Sequence, residues 1–391
     1  MKNNNITSES LMNEFAHQTG LTDLNKPSKR YLWTDAFAVC NFLQLYRQTN
    51  NQHYKKMALL LIDMVHSVLG RYHPQDSRKG YISGMDDRRS KEHPTIGGLR
   101  IGKPLRERAP NEAYDEKQEW DRDGQYFHYL TKWMHALSQT ANVTKDVKYI
   151  RWAVELAKTA HKAFTYKMSD GSKRMYWKMS TDLSRPLVTS MGQHDALDAY
   201  LTYLQLTATA SALGEDADLF TEIEEASKMY TMMPLETADS LGIGGIMSDA
   251  GKVSQLIIFY KLPLEGLLLS LLDAAQSGLQ DFLHTQTLNY PPQYRLAFRE
   301  LGLSIGIHAI EQTVSLLSNH PDTFKQKEAL KEILAQLYKY LPLAKEIENF
   351  WLLEEHQKVS TWTEHIDINS VMLATSLEPQ GFLDIAVKPL V

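Results

Sequence analysis

Two kinds of helical pattern alternate along this chain, and no other feature restricts its fold as much. The first kind is apolar on nearly every face: residues 36–46, 126–137, 196–213, 245–260, 296–317 and 366–377. A helix without a polar face must be covered on most sides. The second kind carries a single apolar stripe. In 152–164 the stripe is Trp152, Leu156, Ala160 and Ala163, while Glu155, Lys158 and Lys162 lie opposite. Segments 54–69, 216–230, 264–283 and 323–341 follow the same pattern. Such helices pack inward on one face and meet water on the other. No alternating strand pattern longer than a few residues interrupts the series.

Six covered helices, five one-faced partners and a candidate twelfth helix at 8–17 predict an all-α fold, an (α/α)6 toroid of six helical hairpins. An open solenoid would show a fixed repeat period, and the spacing here is irregular. The alternation runs through the whole chain, so a single domain over 1–391 is expected. Composition fits: 43% hydrophobic and 23% charged residues are ordinary for a globular chain. A net charge of -5 gives no basic footprint for nucleic acid. The N-terminus has no signal-peptide core, no long uncharged apolar run occurs, and the lone Cys40 sits among apolar residues. These features predict a cytoplasmic chain with no membrane partner and with Cys40 in the core.

The loops carry the functional signal. Turns from covered to one-faced helices are short: 49–51, 142–144, 214–215, 261–263 and 319–321. The return connections are long: 70–121, 166–193, 233–244, 285–294 and 347–363. In a closed up-down ring all the long loops share one rim, and long ordered loops on a rigid scaffold commonly carry function. The covered helices begin there with polar, aromatic-flanked motifs. They are Trp33-Thr34-Asp35, the run Glu119 to Tyr126, Gln193-His194-Asp195, and Thr361-Trp362-Thr363-Glu364-His365. Two carboxylates facing each other across a cleft are the minimum for glycosidic cleavage. The expected catalytic set is therefore Asp35, Asp121 or Asp123, Asp195, His194 and Glu364, with Asp123 as acid and Asp195 as base. Trp33, Trp120, Tyr126, Gln125, Trp362 and His365 should line the substrate pocket.

At these residues the chain resembles the six-hairpin, (α/α)6-toroid superfamily of glycosidases, unsaturated-glycan hydrolases and sugar epimerases. The strings LWTDAFAVCNFL, GGLRIGKPLRER, EWDRDGQYFHYLTKWMHAL and GQHDALDAY resemble more closely a bacterial group within it that has no assigned reaction. The resemblance implies a small-molecule carbohydrate ligand. It allows three functions. One is glycoside hydrolysis of a small, anionic sugar, another is sugar isomerisation or epimerisation using His194 and His365, and the third is a non-catalytic carbohydrate-binding ring.

Plainer roles compete. Thr361 with Glu364 and Ser190 with Gln193 fit capping boxes, and Asp35 suits a helix dipole. His128, His135, His308 and His356 read as core or surface residues. His356, His365 and Asp367 lack metal-ligand spacing, so no metal and no cofactor is expected. The glycines at 242, 244 and 245 are read as letting backbone approach the pocket. In the 70–121 loop Arg88, Arg89 and Arg106 read as solvated, whereas Arg100 and Lys103, framed by Gly and Ile, are expected to meet a carboxylate or phosphate.

Overall fold

The structure, a computed structural model, describes residues 6–23, 26 and 28–385. Its principal elements are α1 (Ser8–Gln18), α2 (Leu32–Thr49), α3 (Gln52–Leu69), α4 (Phe127–Thr144), α5 (Val147–Phe164), α6 (Asp195–Ala212) and α7 (Phe220–Tyr230). They continue as α8 (Ser240–Tyr260), α9 (Glu265–His284), α10 (Ala297–Asn319), α11 (Lys327–Tyr338), α12 (Leu341–Leu352) and α13 (Ile366–Leu377). The fold is all-α and built from helical hairpins. Six helices, α2, α4, α6, α8, α10 and α13, correspond to the six apolar segments. The rest flank them, α11 and α12 sharing one flanking place, which is the helix complement of an (α/α)6 toroid. No described helix is long and apolar enough to cross a membrane.

The chain divides into two compact units. One comprises residues 17–234, the other 235–385 with 6–16. In the first, α2 packs on α4 and α4 on α6, while α3, α5 and α7 each fold back on the helix before them. In the second, α8 packs closely on α10, α10 also meets α12 and α13, and α9 folds back on α8. Cys40 is fully buried in α2, and desolvation pushes its thiol up to about 12.

The short turns use a repeated local device. Asn50, Lys145 and Lys261, each just past the end of a covered helix, adopt left-handed conformations at φ 54, 58 and 57° and close it with a backbone hydrogen bond. The side chains of Asn51 and Asp146 then cap α3 and α5 by accepting from the His53 and Lys148 amides at 3.0 and 3.1 Å. One capped end satisfies amides that would otherwise lack partners. The second turn falls at 145–146 rather than 142–144, because α4 continues to Thr144.

Three other differences have physical causes. The expected helix 323–341 is two helices, α11 and α12, with a break at Lys339-Tyr340 before Pro342, which takes a first-turn position of α12. Proline cannot sit inside a continuous helix without removing a hydrogen bond. Short strands do occur: Gln125–Tyr126 pairs with Lys178–Met179, which pairs with Pro186–Val188, and Thr165–Lys167 pairs with Lys173–Met175. At two or three residues each they are too short to leave a periodic signal. Thr361 donates to the Pro292 carbonyl at 2.8 Å instead of capping a helix, so the Thr361–Glu364 capping box does not form.

The glycines of 242–245 serve packing rather than a pocket. A Cβ at Gly244 would strike the Gly302 carbonyl, so α8 and α10 touch through backbone, with Gly306 also against Gly244. Gly245 faces open space. Gly244→Ala should therefore destabilise the protein by about 1–3 kcal/mol through overpacking. Gly245→Ala should stabilise it by roughly 0.5–1 kcal/mol through helix propensity. Urea unfolding of the two variants checks the opposite signs.

Candidate active site

The 70–121 connection is fixed to the helix ends of the first unit by a buried ion pair. Arg100 Nη1 meets Asp123 Oδ2, with both side chains almost wholly inaccessible. Arg100 also donates to the Arg71 carbonyl and, at 2.9 Å, to that of Val68. The remaining Asp123 oxygen accepts the Gly102 and Gly124 amides at 3.1 and 3.0 Å. Backbone bonds complete the seam: Leu32 N–H to the Ile101 carbonyl at 3.0 Å, Ile101 N–H to Gly124 at 2.9 Å and Arg100 N–H to Leu69 at 3.0 Å. Gln125 is fully buried and pins the same seam. It accepts from Leu99 N–H at 2.9 Å and donates to Gly97 and Thr181 carbonyls at 3.0 and 2.7 Å. Arg100, Asp123 and Gln125 are thus engaged within the fold.

Over this seam lies a continuous aromatic patch. Tyr31 and Tyr129 join hydroxyl to hydroxyl at 2.7 Å, and Trp33 lies 6.5 Å from the Tyr129 ring. Tyr126 stacks on His128 at 5.4 Å and tilts against Trp177 at 5.3 Å. Trp177 in turn meets Trp120 edge-on at 5.4 Å, and Trp120 is 52% exposed. Beneath the patch, Lys178 is buried; it donates to the Glu119 and Arg122 carbonyls at 2.7 and 2.8 Å and pairs with the Glu119 carboxylate at 3.0 Å.

Within the patch an imidazole and a carboxyl face each other. His128, in the first turn of α4, brings Nδ1 to 3.7 Å from Oδ1 of Asp195, the first residue of α6. Among the described residues neither His128 Nδ1 nor Asp195 Oδ2 has a hydrogen-bond partner, although both atoms are buried. Burial, helped by the nearby Asp198 charge, pushes the Asp195 carboxyl up to about 7. Desolvation pulls His128 down to about 4. Near neutral pH the pair therefore consists of a neutral imidazole and a carboxyl poised between its two forms. Asp198 lies one turn deeper and pairs with Lys132 at 3.1 Å.

The other expected residues distribute as follows. Asp35 is buried and accepts from Arg30 Nη1 at 3.3 Å and from the Tyr31 amide at 3.0 Å. Asp121 is exposed at the end of the short helix Glu116–Asp121. His194, half-buried, occupies the position before α6. Lys103 is half-buried with its ammonium 5.6 Å over the Tyr31 ring. Glu364, His365 and Trp362 belong to the second unit. There Glu364 and His365 are exposed, and Trp362 is buried against Trp351 at 5.7 Å.

Sequence reasoning set aside His128 and passed over Tyr31, Tyr129 and Trp177. The signal for His128 was present. It lies in the first turn of a covered helix, as His194 and His365 nearly do, two residues beyond Tyr126.

No protein-family model matches the chain, and no curated protein matches it. Among solved structures it is similar to a cellobiose 2-epimerase from Bacillus thermoamylovorans B4167, with TM-score 0.44 and 10% identity over 86% of this chain and 88% of that one. It is also similar to a cellobiose 2-epimerase from Spirochaeta thermophila DSM 6192, with TM-score 0.46 and 10% identity over 86% of this chain and 85% of that one. Identity at this level carries no residue roles across.

Removing one partner of a buried ion pair leaves an uncompensated charge and costs about 3–5 kcal/mol. Asp123→Ala should lose that much stability in chemical denaturation, whereas Asp121→Ala, at an exposed site, should stay within about 0.5 kcal/mol of the parent.

Proposed function

We propose that this chain is a sugar epimerase or isomerase that moves a proton at the carbon beside the carbonyl of an open-chain sugar. The observation that carries the reading is the unpartnered His128–Asp195 pair set in an aromatic patch, with neutral imidazole and a carboxyl near 7. Sugars stack their C–H faces on aromatic rings while their hydroxyls take hydrogen bonds. With Nδ1 turned to Asp195, His128 presents Nε2 to the substrate. Nε2 accepts the C–H proton, the carbonyl oxygen takes on negative charge, and an enediolate forms. When the enediolate turns about its C2–C3 bond to present its other face, return of the proton from the imidazolium to C2 gives the epimer; return to the former carbonyl carbon gives the isomer.

Asp195 acts through His128. Ionised, it holds the Nδ1 proton and stabilises the imidazolium formed when Nε2 takes the substrate proton, as a carboxylate behind a catalytic histidine does. The 3.7 Å separation closes to a hydrogen bond with a small approach of the two groups. Hydrolysis has less support in this geometry. It needs two carboxyl groups across the scissile bond, and in this unit Asp35 and Asp123 have their oxygens bonded inside the fold. The imidazole that the arrangement favours is His128 rather than His194 or His365.

The reading makes a sign-definite forecast. His128 is neutral above about 4, so it is competent across the working range. Asp195 is ionised only above about 7, so turnover should rise with pH through that value and fall below it. In D2O, the protein should introduce deuterium at C2 of reducing sugars, monitored by NMR. His128→Ala should reduce exchange by at least about 10²-fold. Asp195→Asn should flatten the pH profile near 7, and Asp195→Glu should restore part of it. No exchange with any aldose or ketose, neutral or anionic, would remove the proposal.

A further inference from the structure

The first unit concentrates cations in its long connection, and its arginines are spent. Every arginine from Arg71 to Arg122 has a carboxylate partner. Lys178 has Glu119. Among the described residues Lys103 has none, and its ammonium lies over Tyr31 at 5.6 Å instead. The aromatic face offers a cation only a weak attraction at such a half-exposed position, so the ammonium keeps its capacity to take an anion.

Lys103 is also held in place by the strongest part of the seam. Gly102 on one side has φ +95°, donates its amide to Asp123, and has no room for a Cβ beside the Arg30 carbonyl. Pro104 on the other side fixes its own φ, and Leu105 N–H bonds to the Asp121 carbonyl at 3.1 Å. A lysine on a freely moving loop would be a solvated charge. Here the backbone that bears it is fixed by a buried ion pair. Its ring neighbour Tyr31 bonds to Tyr129, whose ring meets His128 edge-on at 4.8 Å. A free, positioned cation therefore shares one aromatic surface with the candidate base.

We propose that Lys103 selects a sugar bearing an anionic oxygen group, a carboxylate or a phosphate, and holds that group while the carbonyl end reaches His128. The inference rests on reading the aromatic patch as a sugar site. An ammonium is a compact point charge with three donors and suits either anion. Arg100, the other cation expected for this role, is closed off by Asp123 and two backbone carbonyls.

Titration calorimetry with D-glucose, D-glucuronate and D-glucose 6-phosphate tests it, using the full chain and the variants Lys103→Met and Lys103→Arg. The parent should bind at least one of the two anions about tenfold or more tighter than glucose. Which arm responds identifies carboxylate or phosphate. Lys103→Met should bring the preferred anion to within about twofold of glucose, and Lys103→Arg should keep most of the preference. Equal affinity of the parent for all three sugars, or a preference that survives Lys103→Met, overturns the inference. Binding and deuterium exchange are read separately. Lys103-dependent anion binding without exchange supports this inference while removing the proton-transfer reading. Exchange on neutral sugars with no anion preference does the reverse.

Discussion

The buried pair between Arg100 and Asp123 is the interaction on which the candidate site depends. A guanidinium and a carboxylate removed from water are stable only if their remaining donors and acceptors are satisfied. Here they are: two carbonyls take Arg100, and two glycine amides meet Asp123. Meeting those demands forces the connection after α3 against the starts of α2 and α4. That closure sets Gln125 among three backbone groups, and sets Tyr126 and His128 at the beginning of α4. The long loop thereby becomes part of the scaffold, and the residues it carries acquire fixed positions.

Two consequences follow for chemistry. Carboxylates that satisfy the fold are no longer available to a substrate, so Asp35 and Asp123 act as structural anions. Asp195 differs because nothing donates to its Oδ2. Burial and the Asp198 charge hold its proton up to about 7, while desolvation strips the imidazole opposite of its own. A raised carboxyl and a lowered imidazole side by side are the kind of perturbed pair found at functional sites. Under the proposed function, the aromatic rings around it are the surface for the sugar.

Much of the fold was legible because burial leaves a periodic trace. Helices covered on all sides and helices with one stripe differ in every turn, and six covered helices with five striped partners followed from that contrast. The exceptions arise where periodicity is silent. Pro342 splits a helix whose apolar stripe continues, and strands of two or three residues are shorter than one alternation. The site was half legible. First-turn polar residues pointed to the helix starts where the candidate site is built, Asp195 and Tyr126 among them. They could not separate Asp123, bonded on both oxygens, from Asp195, whose Oδ2 has no hydrogen-bond partner among the described residues, because hydrogen-bond satisfaction depends on residues far away in sequence. The same holds for His128: its neighbour is a carboxyl 67 residues later, across a helix pair. Arg100 and Lys103 looked alike in a Gly-rich run, and only the ion pair tells them apart.

The proposed chemistry depends on an Asp195 carboxyl that changes form near 7 beside a neutral His128. Carbon-13 NMR of aspartate-labelled protein, with Asp195→Asn identifying the resonance, measures this directly. The account predicts a carboxyl titrating near 7, with the His128 ring still neutral at pH 6. An Asp195 carboxyl that titrates near its ordinary value of about 4 would contradict it.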